Sequence, residues 1–245
     1  LKATTKMKAT IIITTKDRAK ILEERALRSA LNQSFNDYEI IVIDDAGTDN
    51  TDQMVSKYLR VRYWRLPKNV GLAAARNFGI EKAWGEYIVC LDDDNTLEPD
   101  FLKETTEVLK GNPYVEAVCT GRVVQYKDFA DYMPPPGNGR FTSIDWGWLI
   151  RKGVFEYEQY DENLRANEDQ DFGIRFFKRF RCASIPKPLQ VAYDEWEDPR
   201  KSLSFPTERE LNGMTAFFEK NWHEYTKYPK ELSHLFRTMG RKFYR

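Results

Sequence analysis

Tyr87–Phe101 reads YIVCLDDDNTLEPDF: an unbroken apolar run enters three aspartates and an asparagine, and a helix-like segment follows from about Pro99. A short continuous apolar run bounded by turn residues is the pattern of a strand buried on both faces, as in a parallel sheet covered by helices. The same grammar recurs upstream. Ala9–Thr15 (ATIIITT) and Glu39–Ile43 (EIIVI) are β-branched runs that end in polar residues, Thr14 to Arg18 and Asp44 to Thr51. Between them Leu22, Ala26, Leu27, Ala30 and Leu31 recur at helical spacing. Met54, Val55, Tyr58 and Leu59 mark a second helix, with Asn50 and Thr51 as capping candidates. Val61–Arg65 reads as a third strand and Leu72–Ala83 as a helix ending near Gly85. Strand and helix in alternation predict an α/β fold with a mostly parallel sheet. In such sheets ligands bind beyond the carboxyl ends of the strands, where these polar clusters fall.

Downstream the pattern changes. Val115–Tyr126 reads as a long strand, and DYMPPPGNGR at 131–140 reads as a mobile loop, since its prolines and glycines oppose regular structure. Trp146–Arg151 reads as a short aromatic strand. Glu168–Phe180 reads as a helix with Phe172, Phe176, Phe177 and Phe180 inward, and from Thr207 two helices broken near Pro229 form a tail. The chain reads as one domain over 1–245: a nucleotide-sugar half over about 9–114, an acceptor side over about 115–204 and the helical tail over 205–245.

With 38 basic and 38 acidic residues the chain has no global basic field, so nucleic acid is not expected as a partner. The three cysteines, Cys90, Cys119 and Cys182, form no CxxC pair and suit a reducing compartment. No apolar stretch approaches the ~18–20 residues that span a bilayer, and the N-terminus lacks a signal-peptide apolar region. A cytoplasmic protein is expected, with membrane contact only peripheral. Because the chain opens on Leu1, a longer parent protein and an anchor elsewhere stay open.

Three adjacent aspartates, Asp92, Asp93 and Asp94, repel one another unless something positive neutralises them. Two readings stay open: a hard divalent cation held through oxygen, or simple capping of a turn. Asp44 and Asp45 are candidates to accept hydrogen bonds from a ribose or a pyrimidine N3–H, or to cap a helix. Arg76, in GLAAARN, is placed to meet a diphosphate or to form a surface ion pair. Glu168, Asp169 and Asp171 open a helix, where the dipole favours carboxylates; a general base is the functional alternative. Trp146 and Trp148 are candidate pyranose-stacking faces as well as core candidates.

In combination the segments are more specific. TTKDR (14–18), IIVIDDAGTDNT (40–51), NVGLAAARNFGI (69–80), YIVCLDDDNTLEPDF (87–101) and ENLRANEDQDFGIR (162–175) follow the order of the large family 2 of GT-A-fold glycosyltransferases, which this chain resembles from about Ala9 to Ile185. The resemblance implies a Rossmann-like GT-A fold and inverting transfer from a nucleoside diphosphate sugar, UDP- or dTDP-linked, to a glycan or glycoconjugate hydroxyl, with Mn2+ or Mg2+. It implies Thr14 and Asp17, in the segment that includes Thr15 and Arg18, beside the base and Asp44 on its ring. Arg76 falls on the diphosphate, Asp92 and Asp93 near ribose and donor sugar, and Asp94, with Asp92, on the metal. Asp169 of the Glu168–Asp169 pair becomes the catalytic base. The family's usual histidine ligand has no counterpart in VAYDEWEDPRKSLS; Asp194 or Asp198 is the acidic substitute, or solvent fills the position. Two competitors remain: a nucleotidyltransferase, disfavoured because ITTKDRAK lacks glycine, and a non-catalytic nucleotide- or carbohydrate-binding module. An EF-hand reading fails for want of the required glycine and distal glutamate.

Overall fold

The computed structural model describes residues 8–136, 144–194 and 208–227. Strands β1 (Ala9–Thr15), β2 (Tyr38–Asp44), β3 (Val61–Arg65) and β4 (Tyr87–Asp92) pair in parallel in the order β3-β2-β1-β4. All seven residues of β1 and of β2 are buried, as their unbroken apolar runs require. The sheet continues through β8 (Leu149–Arg151), β6 (Ala117–Tyr126), β9 (Cys182–Asp194) and the two-residue β5 (Thr96–Leu97), with mixed directions. Helices α1 (Ala19–Leu22), α2 (Arg28–Leu31), α3 (Thr51–Val55), α4 (Leu72–Lys82), α5 (Phe101–Gly111) and α6 (Glu168–Arg179) connect and flank it.

The chain leaves β1 for β2 on one side, while β4 lies on the other. The crevice beyond the carboxyl ends of β1 and β4 is therefore a topological switch point. Register aligns the polar ends there: Thr14 lies opposite Asp92 and Thr15 opposite Asp44.

Several expectations are corrected. Residues 131–133, read as loop, belong to β7 (Ala130–Met133), which pairs antiparallel with β6; the barrier to strand begins only at Pro134. Residues 137–143 of that segment lie outside the described residues. The aromatic strand at 146–151 is strand only from Leu149, because Gly147 at φ 77° turns the chain. β9 is hidden in sequence by Pro186 and Pro188, and its pairing with β6 shifts register there, where proline is tolerated. The second helix stops at Val55, leaving Leu59 exposed. Asn50 holds its N-cap position without a side-chain bond, and the preceding Asp49 supplies one instead, its Oδ1 accepting from Thr51 N and Thr51 Oγ1. Between α1 and α2 a π-helical turn, Glu23–Leu27, interrupts the helical repeat.

Close helix–sheet packing has one narrow point. A Cβ at Gly79 of α4 would come within 2.5 Å of Ile12 Cγ2 and 3.3 Å of Ile43 Cγ1. Gly79→Leu is expected to destabilise the chain by about 1–3 kcal/mol through overpacking, read as a lower urea midpoint at unchanged slope.

Helix α7 (Glu208–Tyr225) packs Phe217 and Tyr225 on Leu164 and Ile174. Asp171, wholly buried, accepts from Arg175 at 2.9 Å, Lys220 at 3.1 Å and Asn221 at 3.1 Å. That carboxylate fastens the tail to α6 and is structural. The expected second tail helix beyond Pro229 lies outside the described residues. No helix among the described residues is long and apolar enough to cross a membrane.

Candidate active site

A cavity of about 320 Å3 opens at the switch point, lined by Thr14, Thr15, Lys16, Arg18, Asp45, Leu72, Ala75 and Asp92–Asp94. A larger one, about 470 Å3, lies against α4 and residues 152–162 and includes none of the three aspartates.

Each member of the acidic turn has its own partner. Asp92 Oδ1 accepts from Arg76 Nη2 at 2.9 Å. Asp93 Oδ2 accepts from Thr15 Oγ1 at 2.7 Å, and its Oδ1 lies 2.8 Å from Arg18 Nη1. Asp94 Oδ2 accepts from Arg18 Nη2 at 2.9 Å, and its backbone carbonyl from Arg25 Nη1 at 3.2 Å. Asn95 is part of the turn, donating to the Asp92 carbonyl and accepting from Tyr193 N on β9. Arg25 comes from the π-helical turn, a kind of defect often found at functional sites. Burial pushes the Asp93 carboxyl up to about 6, against the pull of Thr15 and Arg18. Its raised value means that ionisation opposes folding above pH about 6, an opposition that fades as pH falls toward the ordinary carboxylate value.

Arg76 is not on the surface. Only 3% exposed, it bridges Asp92 and, at 3.0 Å through Nη1, Glu168 Oε1; its guanidinium lies 5.3 Å from the Tyr160 ring centre. Burial works against its charge, but the surrounding groups, Asp92 foremost and Glu168 among them, hold it protonated. Arg76 therefore joins the acidic turn to the first residue of α6. Asp169 is half-buried in the next position, and its carbonyl accepts from Ile144 N at 3.2 Å. Beside it Asp145 pairs bidentately with Arg122 at 2.8 and 2.9 Å. Burial raises the Asp145 carboxyl despite Arg122, and the charges of Asp169 and Asp92 add to the rise. Asp92, Asp145, Glu168 and Asp169 thus form one acidic field with Arg76 and Arg122 set into it. Burial likewise raises Glu168, opposed by Arg76.

The structure separates the two strand-end carboxylates of β2. Asp44 is 1% exposed; its Oδ1 accepts from Gly47 N at 2.6 Å and its Oδ2 from Tyr63 Oη at 2.7 Å. Both of its oxygens are engaged inside the loop, and Asp44 is not among the residues that line the cavity. Asp45 lines the cavity and accepts from Asn69, Val70 N and Gly71 N, fixing the loop into α4. Asp17, at φ 55°, accepts from Thr48 N, Thr48 Oγ1 and Asp49 N, and those backbone bonds first of all lower its carboxyl. Asp49 Oδ2 answers by accepting from Ala19 N at 2.8 Å. The two loops are laced together through Asp49, a residue that sequence reading missed. Asp49→Ala is expected to cost about 1–2 kcal/mol, as for a lost helix cap, read as a lower midpoint in thermal melting.

Trp148 is 1% exposed in the core, edge-on to Phe177 with ring centres 6.2 Å apart, so it presents no face to a sugar. Trp146, 6% exposed, lies 4.7 Å beneath the Arg122 guanidinium. Both indoles are core residues in the structure, the second of the two readings the sequence leaves open. His223 is exposed on α7, paired with Glu224; His234, Asp198 and the Asp194 side chain lie outside the described residues.

Fold and site define a doubly wound α/β protein with a polar, oxygen-rich crevice at its switch point. The family is then direct: residues 10–181 match the model of Glycosyl transferase family 2, and the chain belongs to that family. It is 26% identical over 196 residues to the uncharacterized glycosyltransferase YwdF of Bacillus subtilis, covering 74% of this chain and 72% of that one. Against an uncharacterized glycosyltransferase of Rickettsia felis it is 28% identical over 179 residues, 67% of this chain and 29% of the relative, so it spans under a third of that protein. In fold it is similar to S. aureus TarS 1-349 in complex with UDP-GlcNAc (TM-score 0.69, 21% identity, 85% of this chain, 64% of that one). It is also similar to the mannosyltransferase PcManGT of Pyrobaculum calidifontis in complex with GDP-Man and Mn2+ (TM-score 0.66, 19% identity, 90% and 65%).

Proposed function

We propose that the chain transfers a sugar from a nucleoside diphosphate donor, UDP- or dTDP-linked first and GDP-linked next, to a hydroxyl of a glycan or glycoconjugate, with inversion. The observation that carries this reading is the acidic turn opening into the switch-point cavity, with Asp169 on the same acidic field. The family match and the nucleotide-sugar complexes of similar folds support it. Residues 9–114 hold the donor and 115–204 meet the acceptor, and helix α7 braces the second half through Phe217 and Tyr225.

Thr14, Thr15 and Asp45 line the base and ribose side, and Asp17 holds the loop that frames it. Asp94 and Asp92, whose side chains are 31% and 30% exposed, offer the oxygens a hard divalent cation prefers, Mn2+ or Mg2+. Among the described residues no three acidic, histidine or cysteine side chains converge as a cage. Asp94, with Asp92, would hold the cation without an all-protein cage, as is usual for cations bound with substrate phosphates. When bound, the cation offsets the charge of the departing diphosphate. Asp169 accepts the proton of the acceptor hydroxyl, whose oxygen bonds the anomeric carbon as the bond to the diphosphate breaks on the opposite face. Glu168, held by Arg76, orients the start of α6 and so the base.

A panel of nucleotide sugars incubated with the protein, with Mn2+ or with EDTA, tests the reading. Metal-dependent release of nucleoside diphosphate from one donor is expected. Formation of nucleoside triphosphate and sugar 1-phosphate when pyrophosphate is supplied would move the chain to nucleotidyl chemistry, and no turnover of any donor would leave it a binding module.

A further inference from the structure

We propose that Arg18 is the resident counter-cation of the acidic turn in the free protein, and that it exchanges places with a divalent cation when a nucleoside diphosphate binds, passing its guanidinium to the phosphates. This rests on the donor-site reading above and adds an order of events to it.

The geometry is specific to Arg18. One guanidinium spans two neighbouring carboxylates, Asp93 at 2.8 Å and Asp94 at 2.9 Å, at the lip of the cavity both line. Its side chain is 41% exposed and leaves a loop, whereas Arg76, with a side chain 3% exposed and held on a helix between Asp92 and Glu168, cannot swing. The mutual repulsion of the three aspartates is offset by Arg18 and Arg76. A divalent cation added alone would face the Arg18 guanidinium at contact distance, and like charges at ~4 Å in a half-buried site repel by several kcal/mol. A diphosphate arriving with the cation supplies negative charge for both. It also gives the planar Arg18 guanidinium an alternative bidentate partner in the phosphate oxygens. Metal and nucleotide therefore enter together, and Arg18 sets that coupling.

Free Mn2+ measured by electron paramagnetic resonance over nucleotide-free wild type, Arg18→Ala and Arg18→Lys tests the exchange, followed by UDP and GDP titrations at saturating Mn2+. Thermal melts establish that each variant is folded, and Arg18→Lys preserves the charge should Arg18→Ala fail to fold. Arg18→Ala is expected to bind Mn2+ alone about tenfold tighter and the nucleotide about tenfold weaker, with Arg18→Lys between, since one charge contact is removed from each side of the exchange. Unchanged or weaker Mn2+ binding in Arg18→Ala, or none in any form, would overturn the exchange. Should neither nucleotide bind the wild type, the donor reading falls, and the Mn2+ comparison still decides whether Arg18 holds the cation's place.

Discussion

Asp169→Asn is expected to lower the rate of sugar transfer by about 10²–10⁴-fold, the range a positioned general base supplies. Nucleotide binding should be unchanged, because Asp169 stands on α6 and outside the set of side chains that line the donor cavity. Asparagine preserves the shape and the first turn of the helix, and the backbone carbonyl that accepts from Ile144 N is untouched. Only the capacity to take a proton is lost. The split between kcat and nucleotide Kd is the informative quantity: a fall in both would mean that the helix start had moved, and a variant that retained wild-type kcat would assign the base elsewhere in the acidic field.

Arg76→Ala carries the second large effect, here on stability. Removing the guanidinium leaves Asp92 and buried Glu168 facing each other without a partner, and breaking a buried pair from one side costs about 3–5 kcal/mol. For a chain of this size that lowers Tm by roughly 6–20 °C. Arg76→Lys should recover little, because a single ammonium cannot reach both carboxylates as the fork does. A double variant, Arg76→Met with Glu168→Gln, should recover more than Lys does, since it removes one of the stranded charges. Differential scanning of the three variants separates these outcomes, and a small loss in Arg76→Ala would mean that the bridge between the acidic turn and α6 carries little of the fold.

The sequence discloses the parallel half well because its strands are buried on both faces, so their apolar runs are long and their polar ends abrupt. Ala9–Thr15 is read to the residue, and Glu39–Ile43 and Tyr87–Leu91 to within one residue at either end. The mixed half is less legible. β9 carries two prolines, which local propensity reads as breaks, and only its register shift against β6 accommodates them. β5 is two residues long and exists through its pairing with β9.

Within the site, the positions of the acidic turn and of the Glu168–Asp169 pair are visible in the sequence, but the partners are not. Which of Asp44 and Asp45 faces the cavity depends on a loop in which Ala46 adopts φ 58°. That Arg76 turns inward to two carboxylates depends on α4 packing close, with Gly79 against Ile12. Asp49 looked like one more turn residue, and only the fold brings it to the amide of Ala19. Arg122 gave a faint signal, a charge inside an otherwise apolar run, GRVVQ, which the pairing with Asp145 explains.

The central claim is a donor diphosphate held at the acidic turn through a divalent cation. Calorimetric titration of UDP, dTDP and GDP into wild type and Asp94→Ala, each with and without Mn2+, tests it most directly. One nucleotide binding the wild type in a Mn2+-dependent manner, with the Mn2+ increment gone in Asp94→Ala, is the predicted result. Binding that is indifferent to both Mn2+ and Asp94, or no binding of any of the three nucleotides, would contradict it.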